Sequence, residues 1–262
     1  MKRAQLIVNT LKPEAQYTAI KVKETLEGLG MSVTEKNPEF VISIGGDGTV
    51  LRAASVAARA DIPIIGINCG TLGYLNDIEP EETDLLKKIK TGDYTVDELM
   101  LLDVSLFRKD GRQEEFLVLN EVLFSRGASP RIADIHLYSD GVHVSDYAAD
   151  GLIFATPTGS TAYSLSAGGP IIHPSLDCIT VTPVCPHPTA STRPIVFPGD
   201  SMLMVSAEVR GGASACITVD SAPPVEFCAG DYAVIRKSER HTKLIRVKNR
   251  NFYSVVHNKF NV

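Results

Sequence analysis

No apolar run in the 262 residues approaches the ~20 that a bilayer-crossing helix requires. The N-terminus, Met1 to Val8, is basic and then apolar, but Asn9 interrupts after three apolar residues. It reads as a first strand rather than a signal peptide. Positive charge is not in excess either: 26 Lys and Arg stand against 31 Asp and Glu, for a net charge of −5. That excludes a general nucleic-acid surface, so any anionic ligand must be held by local groups. The five cysteines (69, 178, 185, 216 and 228) are odd in number and include no CxxC. They read as free thiols of a reducing cytoplasm rather than a zinc site. Neither GxGxxG nor GxxxxGK[ST] occurs, so the usual dinucleotide and P-loop signatures are missing. There is no internal repeat and no low-complexity segment. What remains is ordinary globular material, 44% hydrophobic and 22% charged, long enough for one large domain or two modest ones.

The chain is organised around Val41 to Ser55. Phe40 to Ile44 is short, apolar and β-branched, as a buried strand is. Gly45, Gly46 and Gly48 break it, and from Thr49 the pattern is helical to about Ala60. A strand, a glycine turn and a helix leave backbone N–H groups free at a helix N-terminus, an anion site whose commonest occupant is phosphate. Asp47 is the unexpected residue there. A carboxylate beside phosphate is useful if it holds Mg²⁺ or takes a proton from an attacking hydroxyl. The plainer alternative is a tight turn with Asp47 as helix cap.

Around that stretch, Leu6–Val8 reads as a strand and Glu14–Leu29 as a helix closed by Gly28 and Gly30. Ile62–Ile67 reads as a third strand ending in the loop Asn68 to Leu75, and Pro80–Gly92 as a helix. Alternation of this kind predicts a parallel sheet, with ligands bound beyond the carboxyl ends of its strands. Asp47 and the loop Gly70–Tyr74 share that edge. Near Leu99 the character changes to short Val, Ile and Phe-rich runs at 103–107, 116–124, 132–138, 151–155, 194–197, 201–207, 215–219, 224–228, 231–237 and 243–247. These predict an antiparallel β-sandwich or barrel. The expected organisation is α/β plus all-β. Residues 1–98 form a Rossmann-like parallel-sheet domain that binds nucleotide and phosphate, joined by 248–262 as a returning helical tail. Residues 99–247 form a β-sandwich-like domain.

Two further stretches carry polar groups where a scaffold would not need them. Asp150 to Ser166, followed by Gly168-Gly169-Pro170, joins an apolar strand to a loop rich in Thr and Ser that opens a short helix. It offers neutral donors, helix-start N–H groups and the ring and hydroxyl of Tyr163, which suits a nucleotide or phosphorylated sugar. Capped ST-turns are the alternative. Asn120-Glu121 interrupts an apolar run, and such a pair is costly to bury without partners. A polar ligand is one partner, with Asn120 donating and accepting and Glu121 accepting from hydroxyls. An exposed strand edge is the other reading. Tyr74 can wall a pocket or join the core, and Arg131 can meet a phosphate or lie in solvent.

Taken together, Gly45-Gly46-Asp47-Gly48-Thr49, Gly70 to Leu75, Asn120-Glu121 and Asp150 to Pro170 resemble the NAD kinase family in content, order and approximate spacing. The most specific part is Thr156-Pro157-Thr158-Gly159-Ser160-Thr161-Ala162-Tyr163-Ser164. The resemblance implies transfer of a phosphoryl group from ATP, or polyphosphate in some members, to the 2′-hydroxyl of the adenosine ribose of NAD, giving NADP. It implies Asp47 as general base. It also implies an NAD site from Asp47, Gly48, Tyr74, Asn120, Glu121, Arg131, Asp150, Thr161, Ala162, Tyr163, Ser164, Leu165 and Ser166. Gly45, Gly46, Gly48, Thr49 and Arg52 are left for the phosphates of ATP. The reaction needs Mg²⁺ or another divalent metal, whose ligands the sequence does not identify. Family membership further implies a cytoplasmic homo-dimer or homo-tetramer, with NAD contacts completed by a neighbouring β domain. The chain departs from the family pattern at Ala148, where a basic residue is common, at Ala222, where Gln is common, and in the loop 185–194, about a residue longer. Two rivals are a lipid or sugar kinase sharing the Gly-Gly-Asp-Gly turn and a non-catalytic dinucleotide sensor. The first should carry a membrane-facing amphipathic helix, which is not evident. The second has no use for Asp47.

Overall fold

The structure is a computed structural model that describes residues 2–70, 73–187, 193–249 and 251–260. In chain order the first elements are β1 (Arg3–Val8), α1 (Pro13–Gly28), β2 (Ser32–Val33), β3 (Phe40–Gly45), α2 (Asp47–Ala60) and β4 (Ile64–Asn68). A 3₁₀ segment, Pro80–Leu86, then leads into α3 (Lys87–Thr91). After these come β5 (Thr95–Phe107), β6 (Gln113–Val118), β7 (Glu121–Ser125), β8 (Ala133–Ser139), β9 (Val142–Ala149) and β10 (Gly151–Ala155). The rest are α4 (Tyr163–Ser166), β11 (Cys178–Val184), β12 (Ile195–Pro198), β13 (Leu203–Val209), β14 (Ala215–Val219), β15 (Val225–Phe227), β16 (Tyr232–Arg246) and α5 (Phe252–Phe260). The chain divides into two compact units, residues 1–99 with 240–262, and residues 100–239.

In the first unit, β2, β1, β3 and β4 pair in that order, all parallel, and Leu244 near the end of β16 pairs in parallel with Ile64. Every residue of β3 and β4 is buried, as a parallel sheet covered on both faces requires. Ala15, Val22 and Leu26 of α1 seal this core together with Ile42, Ile44, Ile65 and Ile67. The α1 helix ends as its glycines predict. Gly30 takes φ +71°, Met31 N–H donates to Leu26 O at 2.9 Å and Gly30 N–H to Glu27 O at 2.9 Å. Residues 240–247, assigned to the β domain from the sequence, lie in this unit, because Leu244 pairs with Ile64 and Ile245 and Val247 join its core. The 80–92 helix is a 3₁₀ segment followed by one short α-helix, closed by Gly92 at φ +79°.

The second unit has two antiparallel layers. One runs β12, β11, β10, β7, β14, β15, and the other contains β13 between β16 and β8, with β9 beyond β8. Val122, Phe124, Leu152, Phe154 and Val181 from the first layer meet Ile135, Leu137, Tyr147, Leu203 and Val205 from the second in one core. Two strands are additional to those expected. β9 (VHVSDYAA) has too few apolar residues to read as a strand, and β11 contains Pro183. Pro183 is tolerated because β12 pairs only with Cys178 to Val181, leaving that side of Pro183 without a partner strand. Conversely, 231–237 and 243–247 are one strand, β16, and 116–124 is two, broken at Asn120.

Candidate active site

At the carboxyl end of the parallel sheet, Asn9, Gly45 and Asn68 follow β1, β3 and β4 directly or close them. The turns are stitched together by backbone bonds, Asn9 N–H to Ile44 O and Cys69 N–H to Gly45 O, both 2.9 Å. Gly45 has no room for a side chain, since a Cβ would come within 3.0 Å of Asn9 Cβ and overlap the Thr49 hydroxyl. Gly46 is the N-cap of α2 in extended conformation, and no side chain caps this helix end. Its first-turn N–H groups remain directed outward over Gly46 and exposed Gly48, as an anion site needs. Thr49 is buried against Gly45, while Arg52, one turn on, is exposed.

Asp47 is therefore not a helix cap. It is the first residue of α2, and its carboxylate takes the N–H of Tyr74 at 2.9 Å, the N–H of Leu75 at 3.2 Å and Nδ2 of Asn76 at 2.9 Å. Gly73 is glycine because a Cβ there would overlap this carboxylate. The loop 73–76 is thus built around Asp47, with one carboxylate lone-pair direction left for a ligand hydroxyl. Thr71 and Leu72, part of the family-like motif, lie outside the described residues. Tyr74 sits beside this carboxylate, but its ring packs on α5, 6.3 Å from the Phe252 ring and with Lys259 Nζ 4.6 Å from its centroid. Burial, and then the charge of Asp47, push the Tyr74 phenol above its ordinary range.

In the second unit the Asn120-Glu121 break and the 156–166 loop are one construction. Asp220, at φ +46°, turns its carboxylate onto three successive amides: Leu119 at 3.1 Å, Asn120 at 2.8 Å and Glu121 at 3.1 Å. Thr156 ties the other side, its N–H donating to Asn120 O at 2.9 Å and its hydroxyl to Leu119 O at 2.6 Å. Gly159 passes so close that a Cβ would overlap the Asn120 carbonyl. Ser160 bonds Pro157 O at 2.6 Å, Thr161 bonds Thr158 O at 3.2 Å, and Ser164 pairs with Thr182 at 2.9 Å. Several hydroxyls of this loop therefore serve its own architecture. The groups left outward are Tyr163 and Ser166, which are exposed, and Ala162 and Leu165, which are half-buried.

Glu121 is the unsettled group. Its carboxyl accepts the Tyr163 N–H, yet burial, and then the nearby Asp220 charge, raise its pKa to about 8. Its Oε2 is buried without a hydrogen-bond partner. A buried acceptor without a donor is costly, and a ligand hydroxyl would satisfy it. Asp220 is also pushed upward by burial, against three N–H donors that favour its charge.

Asp150 is half-exposed and bonded to Arg126, Nε to Oδ1 at 2.6 Å. Arg126, one residue beyond β7, supplies a cation beside Asp150 in a chain that has Ala148 where the family often has a basic residue. Arg131 does not join this cluster. It is exposed, its stem lies against Gly211, and among the described residues no hydrogen bond links it to Asn120, Glu121 or the 156–166 loop. Of the loop 185–194, residues 188–192 lie outside the described residues. Asp220 and Arg126 are the two residues that sequence reasoning did not place in the site. Asp220 had a signal, an acid followed by a small-residue turn, but its partners are about 100 residues away.

Comparison with known proteins matches both units. The ATP-NAD kinase N-terminal domain family model matches residues 10–94, and the ATP-NAD kinase C-terminal domain model matches residues 119–247. An NAD kinase of Geotalea daltonii is 41% identical, covering 84% of this chain and 78% of its own length. An NAD kinase of Moorella thermoacetica is 36% identical over 99% of this chain and 89% of its own. Among solved structures, an NAD kinase from Archaeoglobus fulgidus in complex with ATP has a TM-score of 0.78 at 30% identity, covering 99% of this chain and 97% of that one. Yeast NADH kinase complexed with NADH has a TM-score of 0.89 at 20% identity, over 100% of this chain and 88% of that one. With a carboxylate fixed at a glycine-turn helix start in one unit and a polar loop braced on Asn120-Glu121 in the other, this chain belongs to the NAD kinase family.

Proposed function

We propose that this chain, an NAD kinase, phosphorylates NAD to NADP with Asp47 as the general base. The observation that carries this is the Asp47 carboxylate, held by three N–H donors at the start of α2 beside an open phosphate cradle. Phosphoryl transfer is mostly positioning and charge stabilisation. Gly45, Gly46, Gly48 and Thr49 bring backbone N–H groups to the phosphates of ATP, and Arg52 adds a cation one turn along α2. Asp47 orients the 2′-hydroxyl and takes its proton as the γ-phosphorus–oxygen bond forms and ADP leaves.

Asn120, Glu121, Asp150 and the run Thr161-Ala162-Tyr163-Ser164-Leu165-Ser166 hold NAD in this reading, with Tyr74 beside the adenosine part and Arg131 at a phosphate. Glu121 accepts a ligand hydroxyl through its unpartnered Oε2. Among the described residues no three His, Cys, Asp or Glu side chains converge as a metal site. That donor set fits Mg²⁺ carried mainly by the ATP phosphates and water, as Mg²⁺ commonly is. The ion neutralises charge on the phosphates. A homo-oligomer, with NAD contacts completed by a neighbouring β domain, and a cytoplasmic setting complete the reading. No described helix is long and apolar enough to cross a membrane.

The test is NADP formation from NAD, ATP and Mg²⁺ by coupled assay, with polyphosphate as alternative donor. Asp47→Asn should lower kcat on the order of 10²–10⁴-fold while NAD still binds. No NADP with either donor would remove the activity. Near-normal turnover by folded Asp47→Asn would remove Asp47 as base.

A further inference from the structure

The 74–76 loop that grips Asp47 is itself gripped from behind. The guanidinium of Arg246, at the end of β16, directs Nη2 to Tyr74 O at 3.4 Å and Nη1 to Leu75 O at 3.2 Å and Asn76 O at 3.5 Å. These are long for hydrogen bonds, so they act chiefly as a positive charge facing three carbonyl dipoles. The peptide between Tyr74 and Leu75 is the telling one. Its carbonyl faces Arg246 and its N–H donates to Asp47. A cation at the oxygen end and an anion at the hydrogen end polarise one peptide in the same sense, and each strengthens the other's hold.

Arg246 has little freedom to leave. Its Nε bonds Asp97 Oδ2 at 2.7 Å, and Nη1 lies 3.8 Å from Asp77 Oδ1. Asp77 is in turn fixed by the N–H groups of Val247 at 2.8 Å and Lys248 at 3.2 Å. The side chain of Arg246 is only 13% exposed. Neither a core contact nor a surface ion pair explains why a guanidinium is aimed at the carbonyls of this particular loop.

We infer that Arg246 is a positioning residue for the phosphoryl transfer, fixing the Asp47 carboxylate through the peptides of Tyr74, Leu75 and Asn76. This rests on Asp47 being the base. Arg246 touches neither the reacting hydroxyl nor the phosphate. It sets the direction of the N–H groups that set the direction of the carboxylate.

The experiment is a double-mutant cycle of Arg246→Gln and Asp47→Asn, with Arg246→Lys as the conservative variant. Arg246→Gln should lower kcat on the order of 10²-fold, the scale of a ~1 Å misplacement of a reacting group. KM for NAD and for ATP should stay near wild type, and Arg246→Lys should recover part of the rate. On the Asp47→Asn background, Arg246→Gln should cost little further, because the group it positions is already inactive. The Tyr74 and Leu75 amides should exchange hydrogen faster in Arg246→Gln, which is readable without activity. Should Arg246→Gln not accumulate as folded protein, the cycle is run with Arg246→Lys, where a loss confined to kcat is again expected. A folded Arg246 variant with unchanged kcat, or losses that multiply fully in the double mutant, overturns the positioning role. A crippled Asp47→Asn beside an unaffected Arg246→Gln rejects Arg246 alone. A near-normal Asp47→Asn rejects the base assignment and Arg246 with it.

Discussion

Glu121 shows how much a single residue can tie stability to pH. With its pKa at about 8 in the folded chain and 4.5 as the ordinary value, the folded state keeps a proton between those values that the unfolded chain has released. Stability from this group is therefore fully present below about 4.5 and lost as pH rises through about 8. Glu121→Gln removes the ionisation and keeps the shape. At pH 9 it should be more stable than wild type by at least ~1 kcal/mol, or about 2–4 °C in Tm for a chain of this size. At pH 5 the two should melt together. Equal Tm differences at both pH values would show that Glu121 ionises as easily folded as unfolded. Asp47 carries the opposite lesson. Asn there offers one oxygen to three donors and sets an NH₂ against an N–H, so Asp47→Asn should also loosen the 73–76 loop. The unsatisfied donor costs about 1–3 kcal/mol, which is why turnover must be read per folded molecule.

The elements of the site are tied by contacts too close for a side chain. Gly159→Ala places a Cβ in the Asn120 carbonyl, and backbone cannot give way as a flexible side chain does. It should destabilise the second unit by about 1–3 kcal/mol or more and weaken NAD binding with it. Gly28→Ala, where a Cβ meets nothing within 4 Å, is the control and should be harmless. Urea unfolding and NAD titration of both variants check this; an innocuous Gly159→Ala would mean that the loop and the 119–121 break are not braced on each other. This brace also marks where sequence reading succeeds and where it stops. The glycine turn, α2 and Asp47 were legible because strand, turn and helix signals are local. Asn120-Glu121 was legible because polar residues in an apolar run are conspicuous. Asp220 beneath Asn120 and Arg246 behind Tyr74 were not, since their partners lie 100 and 172 residues away. β9 was missed because its pattern is polar on both faces, and β11 because its proline suits a strand only where one neighbour ends early.

At the scale of the whole molecule, the candidate groups divide between the two units. Asp47, Tyr74 and Arg246 belong to one, and Asn120, Glu121, Asp220 and the 156–166 loop to the other. The second unit leaves Tyr163 45% exposed, although its backbone N–H is committed to Glu121. An aromatic ring fixed at its base and bare at its tip is suited to meeting something from outside the chain. A homo-oligomer whose NAD contacts are completed by a neighbouring β domain supplies that partner. If so, activity belongs to the assembly, and mass action governs it. Specific activity per chain should be constant at high concentration and fall about tenfold or more once the protein is diluted well below the assembly's Kd. Light scattering should show the dimer or tetramer giving way to monomer over the same range, and saturating NAD should move both transitions to lower concentration. A monomer by light scattering with undiminished activity per chain would show instead that one chain holds NAD without help from a neighbour.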